Sequence, residues 1–223
     1  MHTHSTARAV RRALATFVAV SAAATAAVLA PAPPAGAAPP PLPAPNSHGI
    51  TLQSWSQVNP FESASVPRLI DATVTTAKIF KPGTNPSINP TSVPIKVRIL
   101  LPAGYDPNRA AGYPVLYLLH GGGGGFADWS SSNGDVKNIV ARSPFRGIVV
   151  MPEGGRAGWY SNWRGYTDGN FAPQWEDFHV RQLVPWIDAN FNTIADRSGR
   201  GIAGLSMGGS GTLMYSARFT DVF

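Results

Sequence analysis

The chain contains no cysteine. That excludes disulfide bridges, thiolate nucleophiles and thiolate-bound metal together, and does not conflict with export. Histidine is scarce, with five in 223 residues. Two of them, His2 and His4, stand at the N-terminus, and His48, His120 and His179 show no ligand spacing for zinc, so no metal site is expected. Clusters of basic residues are also missing. Arg8, Arg11 and Arg12 belong to a leader, and the remaining 15 basic residues are scattered among 12 acidic ones. Nucleic acid is therefore not an expected partner, and no cofactor is expected. No internal repeat is visible.

Residues 1–37 read as a secretory signal peptide. Met1 to Arg12 carries the three arginines and no acid, Ala13 to Ala30 is small and apolar, and Ala35-Gly36-Ala37 fits a small-x-small cleavage site. Weakly apolar alanines followed by prolines at 31, 33 and 34 make a poor membrane span. A bacterial protein that is secreted or held in the cell envelope, without stable membrane insertion after cleavage, is the expectation. Arg11-Arg12 leaves the twin-arginine route open beside the general one. Residues 38–49, beginning APPPLPAPNS, are expected to form a Pro-rich linker with nothing to bury. Residues 50–223 then make one domain.

Within that domain, Leu69 to Ile79 and Ser92 to Leu101 alternate in part between apolar and polar residues, which predicts two early antiparallel strands. Val115 to Leu119 and Gly147 to Met151 are unbroken apolar runs, the pattern of strands covered on both faces. A short helix is predicted over Asp135 to Arg142. Apolar residues at 180, 183, 184, 187 and 191 predict a longer one, kinked or restarted at Pro185. A strand at Gly201-Ile202-Ala203 and a helix after Gly208 complete the series. The alternation predicts an α/β fold, a mostly parallel sheet with helices on both faces. Ligands on such sheets lie beyond the carboxyl ends of the strands.

Two motifs fall at those ends. Gly204-Leu205-Ser206-Met207-Gly208 lies between a strand and a helix, the context of a nucleophile elbow. Such a turn holds its serine in a strained conformation and needs small residues two places before and after it. Ser206 is the candidate nucleophile. His120 followed by Gly121 to Gly125 is the second motif. A loop of this HGGG type supplies one amide to an oxyanion hole, and the residue after the serine supplies the other. The donors on that reading are Gly122, with Gly121 as the alternative, and Met207. A phosphate-cradling loop would need Gly-Lys-Ser/Thr, where Phe126-Ala127-Asp128 stands.

Between Gly154 and Trp175 the chain is rich in rings: Trp159, Tyr160, Trp163, Tyr166, Phe171 and Trp175. They line an apolar substrate pocket or pack as a lid over the sheet; Trp159 and Trp163 are the pocket candidates. None of the histidines suits the role of general base. His179 falls on a helix before the elbow, His120 is placed to tie down its own loop, and His48 belongs to the linker.

Taken in order, several segments resemble the esterase D and antigen 85 mycolyltransferase-like family, and within it the secreted actinobacterial esterases. They are Leu118-Leu119-His120-Gly121-Gly122-Gly123, Val150-Met151-Pro152-Glu153-Gly154-Gly155, Gly158-Trp159-Tyr160-Ser161-Asn162-Trp163, Trp175-Glu176-Asp177-Phe178 and Gly204-Leu205-Ser206-Met207-Gly208-Gly209. The resemblance implies an α/β-hydrolase fold without a large cap, and a Ser–Asp/Glu–His triad acting on acyl esters of small molecules, lipids or sugars. By position, Ser206 matches the nucleophile, and Gly122 and Met207 match the oxyanion donors. The family places its acid and histidine on strands after the elbow helix. Only fifteen residues follow Gly208, so the chain is expected to be C-terminally truncated, lacking those strands, the triad acid and the triad histidine. Asp221 matches a helix-to-strand turn and not the acid. A poorly activated Ser206 and an uncovered strand edge are the expected consequences. Three functions follow: a secreted serine esterase, an acyltransferase delivering the acyl group to a sugar or glycerol hydroxyl, and a non-catalytic surface or carbohydrate-binding protein.

Overall fold

A computed structural model of the chain describes residues 38–80, 93–164 and 172–223. The expected signal peptide, together with Tyr166 and Phe171 of the ring-rich segment, lies outside the described residues. Among the described residues, six strands run in chain order: β1 Ile50–Gln57, β2 Arg68–Thr76, β3 Ile95–Leu101, β4 Val115–Leu119, β5 Ile148–Pro152 and β6 Arg200–Gly204. They lie side by side as β1-β2-β3-β5-β4-β6.

The two early strands are antiparallel neighbours as their alternation predicts, with Leu69 opposite Leu100 and Val74 opposite Ile95. β1, which its polar composition concealed, pairs antiparallel with β2, and β3 pairs antiparallel with β5. Only β5, β4 and β6 run parallel. The sheet is thus mixed, where a mostly parallel one was expected. The reason is in the connections. No helix lies between β1, β2 and β3 among the described residues, and a parallel pair needs such a crossover. The parallel half carries the candidate site.

Among the described residues, three α-helices cover the sheet: α1 Val136–Arg142, α2 Val184–Asn190 and α3 Met207–Arg218. Side chains on successive strand positions point to opposite faces, and the two faces have different partners. Leu69, Leu100, Leu118, Val149 and Met151 pack with Val136 and Val140 of α1. Ile70, Val97, Ile99, Val115 and Val150 pack with Phe178, Leu183, Trp186 and Ile187 on the other side. Met207, Tyr215 and Phe219 of α3 extend this second layer over Leu119, Tyr160 and Val180. Pro185 sits in the first turn of α2, where its missing N–H is tolerated. Just before it, residues Asp177–Leu183 form a π-helical segment.

Residues 38–49 are packed, contrary to the free tether expected of their composition. The indole N–H of Trp186 donates to the Pro45 carbonyl and that of Trp55 to the Pro40 carbonyl, each at 3.0 Å. The Asn190 amide closes both bonds of Ala44, accepting from its N–H at 2.9 Å and donating to its carbonyl at 3.0 Å. Leu42 rests against the core. Proline removes N–H donors and leaves the carbonyls, so side-chain donors can hold a strap that no strand could pair with. Among the described residues, no helix is long and apolar enough to cross a membrane.

Candidate active site

The turn from β6 into α3 adopts the conformation its motif demands. Ser206 has φ 51° and ψ −112° and is exposed. A non-glycine residue held in so sparsely populated a region persists only where its surroundings enforce it. Enforcement here is steric. A Cβ on Gly204 would stand 2.3 Å from the Gly208 carbonyl carbon and oxygen, and one on Gly208 would stand 2.2 Å from the Leu119 carbonyl oxygen. The peptide after β4 and the start of α3 therefore close on each other with no room for side chains. The turn is also bonded across, Leu205 N–H to the Leu119 carbonyl at 3.1 Å and Gly208 N–H to the Leu205 carbonyl at 2.8 Å.

The glycine loop leaves β4 directly beside this elbow. Its later amides are all claimed: Gly123 N–H by the Arg156 carbonyl at 2.7 Å, and Gly124 N–H by the Gly121 carbonyl at 3.2 Å. Gly125 N–H goes to Asp128 Oδ2 at 3.2 Å and Phe126 N–H to Glu153 Oε2 at 3.3 Å. The amides of Gly121 and Gly122 have no acceptor among the described residues. Met207 opens α3, so its N–H has no intrahelical partner by position. Gly122 and Met207 are neighbours, since a Cβ on Gly122 would lie 3.9 Å from the Met207 Cβ. The elbow serine is thus followed by an unclaimed amide, and a second unclaimed amide belongs to Gly122, the neighbour of Met207.

Both buried histidines are fully engaged. His120 Nδ1–H donates to the Gly121 carbonyl at 2.8 Å, and its Nε2 accepts from Gly154 N–H at 2.9 Å with Glu153 Oε1 at 3.4 Å. Burial pulls its pKa down, but the Glu153 carboxylate and the Gly121 carbonyl outweigh this and raise it. Glu153 shifts the other way: burial would raise its pKa, while His120 and the amides of Phe126 and Gly155 bring it below the usual carboxylate range. His179 donates from Nε2 to the Glu153 carbonyl at 2.8 Å and accepts at Nδ1 from the Tyr215 hydroxyl at 3.0 Å. Burial drives its pKa down to about 4. His48 precedes β1, at the opposite edge of the sheet from β6. Five strand spacings separate those edges, on the order of 24 Å.

The ring-rich segment divides. Tyr160, at φ 55°, is completely buried, and its hydroxyl donates to the His120 carbonyl at 2.9 Å. Trp163 lines an apolar cavity of about 390 Å³ with Ile79, Phe80, Ile95, Glu153 and Trp175. Trp159 is exposed and lines neither this cavity nor a second one of about 470 Å³ beside the glycine loop. The second cavity is bounded by His120, Gly121, Asp128, Trp129, Asn133 and Leu205. Sequence reasoning passed over Glu153 and Trp129. Glu153 was visible only as one letter of Pro152-Glu153-Gly154-Gly155, and Trp129, whose indole N–H donates to the Leu119 carbonyl at 3.1 Å, gave no signal.

The profile of the Esterase family matches residues 89–223, more than half of the chain, including the glycine loop, Glu153, the ring-rich segment and the elbow. The chain belongs to the Esterase family. Esterase Rv1288 of Mycobacterium tuberculosis is 44% identical over 145 residues, covering 63% of this chain and 28% of that protein. The chain thus spans little more than a quarter of that relative's length. The diacylglycerol acyltransferase/mycolyltransferase Ag85C of Mycobacterium leprae is 35% identical over 78 residues, 34% of this chain and 23% of that one. Among solved structures, a ferulic acid esterase superposes with a TM-score of 0.55 at 29% identity, covering 71% of this chain and 56% of that chain. The esterase fold here is the α/β-hydrolase fold.

Proposed function

We propose that this esterase-family chain carries the nucleophile and oxyanion hole of a serine carboxylic-ester hydrolase. The supporting observation is the strained, exposed Ser206, followed by the Met207 amide, with Gly122 packed against Met207. In the reaction, Ser206 Oγ attacks the ester carbonyl and loses its proton to a base. The carbonyl oxygen becomes an anion held by the two amides, and collapse expels the alcohol, leaving an acyl-serine. Water repeats the sequence and releases the acid. No residue of this sequence is assigned as the base or the triad acid, because both rings of the buried histidines are bound elsewhere. Trp163 and its apolar cavity are the proposed resting place for an apolar part of the ester. Export through the leader at residues 1–37 belongs to the same reading.

A second reading, acyl transfer to a sugar or glycerol hydroxyl, is favoured by the likeness to the mycolyltransferase of Mycobacterium leprae. It differs only in the second acceptor. The test is labelling with a fluorophosphonate probe, followed by product analysis of a short-chain nitrophenyl ester with and without trehalose or glycerol. Labelling is expected in the chain and absent in Ser206→Ala. An unlabelled chain would remove the catalytic reading and leave a non-catalytic binding protein.

A further inference from the structure

A run of five glycines has no side chains with which to fix its own path, and ordering glycine costs more backbone entropy than ordering any other residue. Something outside the run must therefore hold Gly122 where its amide is useful. We propose that Glu153 is the positioning residue for that amide, its carboxylate pinning the glycine loop at both ends. The proposal rests on the reading of Gly122 as an oxyanion donor.

The two ends are distinct. Before the glycines, Glu153 Oε1 lies 3.4 Å from His120 Nε2, a pairing that forms when the ring is protonated and Nε2 no longer accepts from Gly154 N–H, and the same ring holds the Gly121 carbonyl. After them, Glu153 Oε2 accepts the Phe126 N–H. The Phe126 ring is in turn held under the Arg98 guanidinium at 5.0 Å and the Lys96 ammonium at 5.3 Å, both on β3. Gly155 N–H donates to Glu153 Oε1 at 2.9 Å, which folds residues 153–156 around the carboxylate. That fold presents the Arg156 carbonyl to Gly123 N–H, the residue next to Gly122. One carboxylate thereby organises both loops, and Gly121 and Gly122 are left as the unclaimed span between its anchors. The other titratable groups around the His120 ring are Asp128, Tyr160 and His179. Of these only Asp128 adds a negative charge that would support His120 in the absence of Glu153.

Glu153→Gln tests this with little change of volume, because an amide has one acceptor oxygen and cannot serve both Phe126 and Gly155. In the full chain, hydrogen exchange over residues 120–126 and 153–158 should quicken at least about tenfold, with β4 and β5 unchanged. The maximal rate of fluorophosphonate labelling should fall about 10- to 100-fold at an unaltered half-saturating concentration, the cost of a displaced oxyanion donor. The NMR titration midpoint of His120 should also fall, which a merely structural role would not require. Glu153→Asp keeps the charge and shortens the reach, and should loosen residues 120–126 while His120 holds its raised midpoint. Wild-type exchange across residues 120–126 in both variants overturns the proposal, as does acceleration spread evenly over the sheet. If the unsubstituted chain is not labelled, the reading of Ser206 falls instead, and the exchange and titration measurements still decide the role of Glu153.

Discussion

Gly208→Ala should separate a glycine required by space from one that is merely present. Ordinary contact for a methyl carbon begins at about 3.4 Å, and the added Cβ would stand 2.2 Å from the Leu119 oxygen, 2.6 Å from its carbon and 2.7 Å from the His120 oxygen. All three are backbone atoms, so no rotamer change relieves the clash. The N-terminus of α3 must retreat by about 1 Å, carrying the Met207 amide with it. Overpacking of this kind costs about 1–3 kcal/mol, offset in part by the 0.5–1 kcal/mol, roughly, that alanine gains over glycine in a helix. A net loss of about 1 kcal/mol corresponds to about 2–4 °C in Tm for a domain of this size. A misplacement of about 1 Å lowers the labelling rate of Ser206 on the order of a hundredfold. The control is one residue on. A Cβ at Gly209 meets only the Gly204 oxygen at 3.4 Å, so Gly209→Ala should be neutral or slightly stabilising and should label normally. Both variants are read by thermal unfolding and by fluorophosphonate kinetics. If they behave alike, the steric account of the elbow is wrong.

Asn190→Ala should cost about 1–2 kcal/mol in urea unfolding, since it strands the Ala44 N–H, while the Ala44 carbonyl keeps the Ser47 hydroxyl at 2.8 Å; a change under 0.5 kcal/mol would mean that the strap adds nothing to stability. Tyr160→Phe, which leaves the buried His120 carbonyl without its hydroxyl partner, should cost about 1–3 kcal/mol, and a wild-type Tm would contradict this. For His179, the folded pKa of about 4 lies below the unfolded value, so the unfolded chain binds the extra proton. Its contribution is fully present above about pH 6.5 and is lost as pH falls towards 4, about 3 kcal/mol in all. His120, with its raised pKa, contributes in the opposite sense, most below the unfolded value. His179→Gln should therefore flatten the loss of stability between pH 6.5 and 4.5, as measured by urea titration; an unchanged slope would refute the assignment.

Legibility followed sequence distance. The elbow is five consecutive residues whose sizes alone state the steric requirement, so Ser206 and its glycines could be read directly. The short unbroken runs at 115–119 and 147–151 suit strands covered on both faces, and they form β4 and β5, adjacent in the middle of the sheet. Glu153 was opaque because its role exists only when it meets Phe126, 27 positions away. The strap misled for the same reason. Proline-rich composition speaks of missing N–H donors and says nothing of an indole 141 positions away that supplies one. The direction of β5 against β3 was hidden as well, because a continuous apolar run carries no sign of its neighbour's orientation.

Contacts from the elbow and from Trp129 converge on one atom. The Leu119 carbonyl oxygen accepts from Leu205 N–H and from the Trp129 indole, each at 3.1 Å, and it is the surface against which Gly208 closes. The glycine loop starts one residue later. Elbow and loop are thus referenced to the same peptide at the end of β4, so a displacement of that strand carries the amides of Gly122 and Met207 together and preserves their separation. Changes in the loops do not share this protection. A shift of the segment around Glu153 and Arg156 moves Gly122 while the elbow stays fixed. On that argument, substitutions under the sheet should lower stability with little effect on the reactivity of the folded fraction, and substitutions around the Glu153 carboxylate should do the reverse.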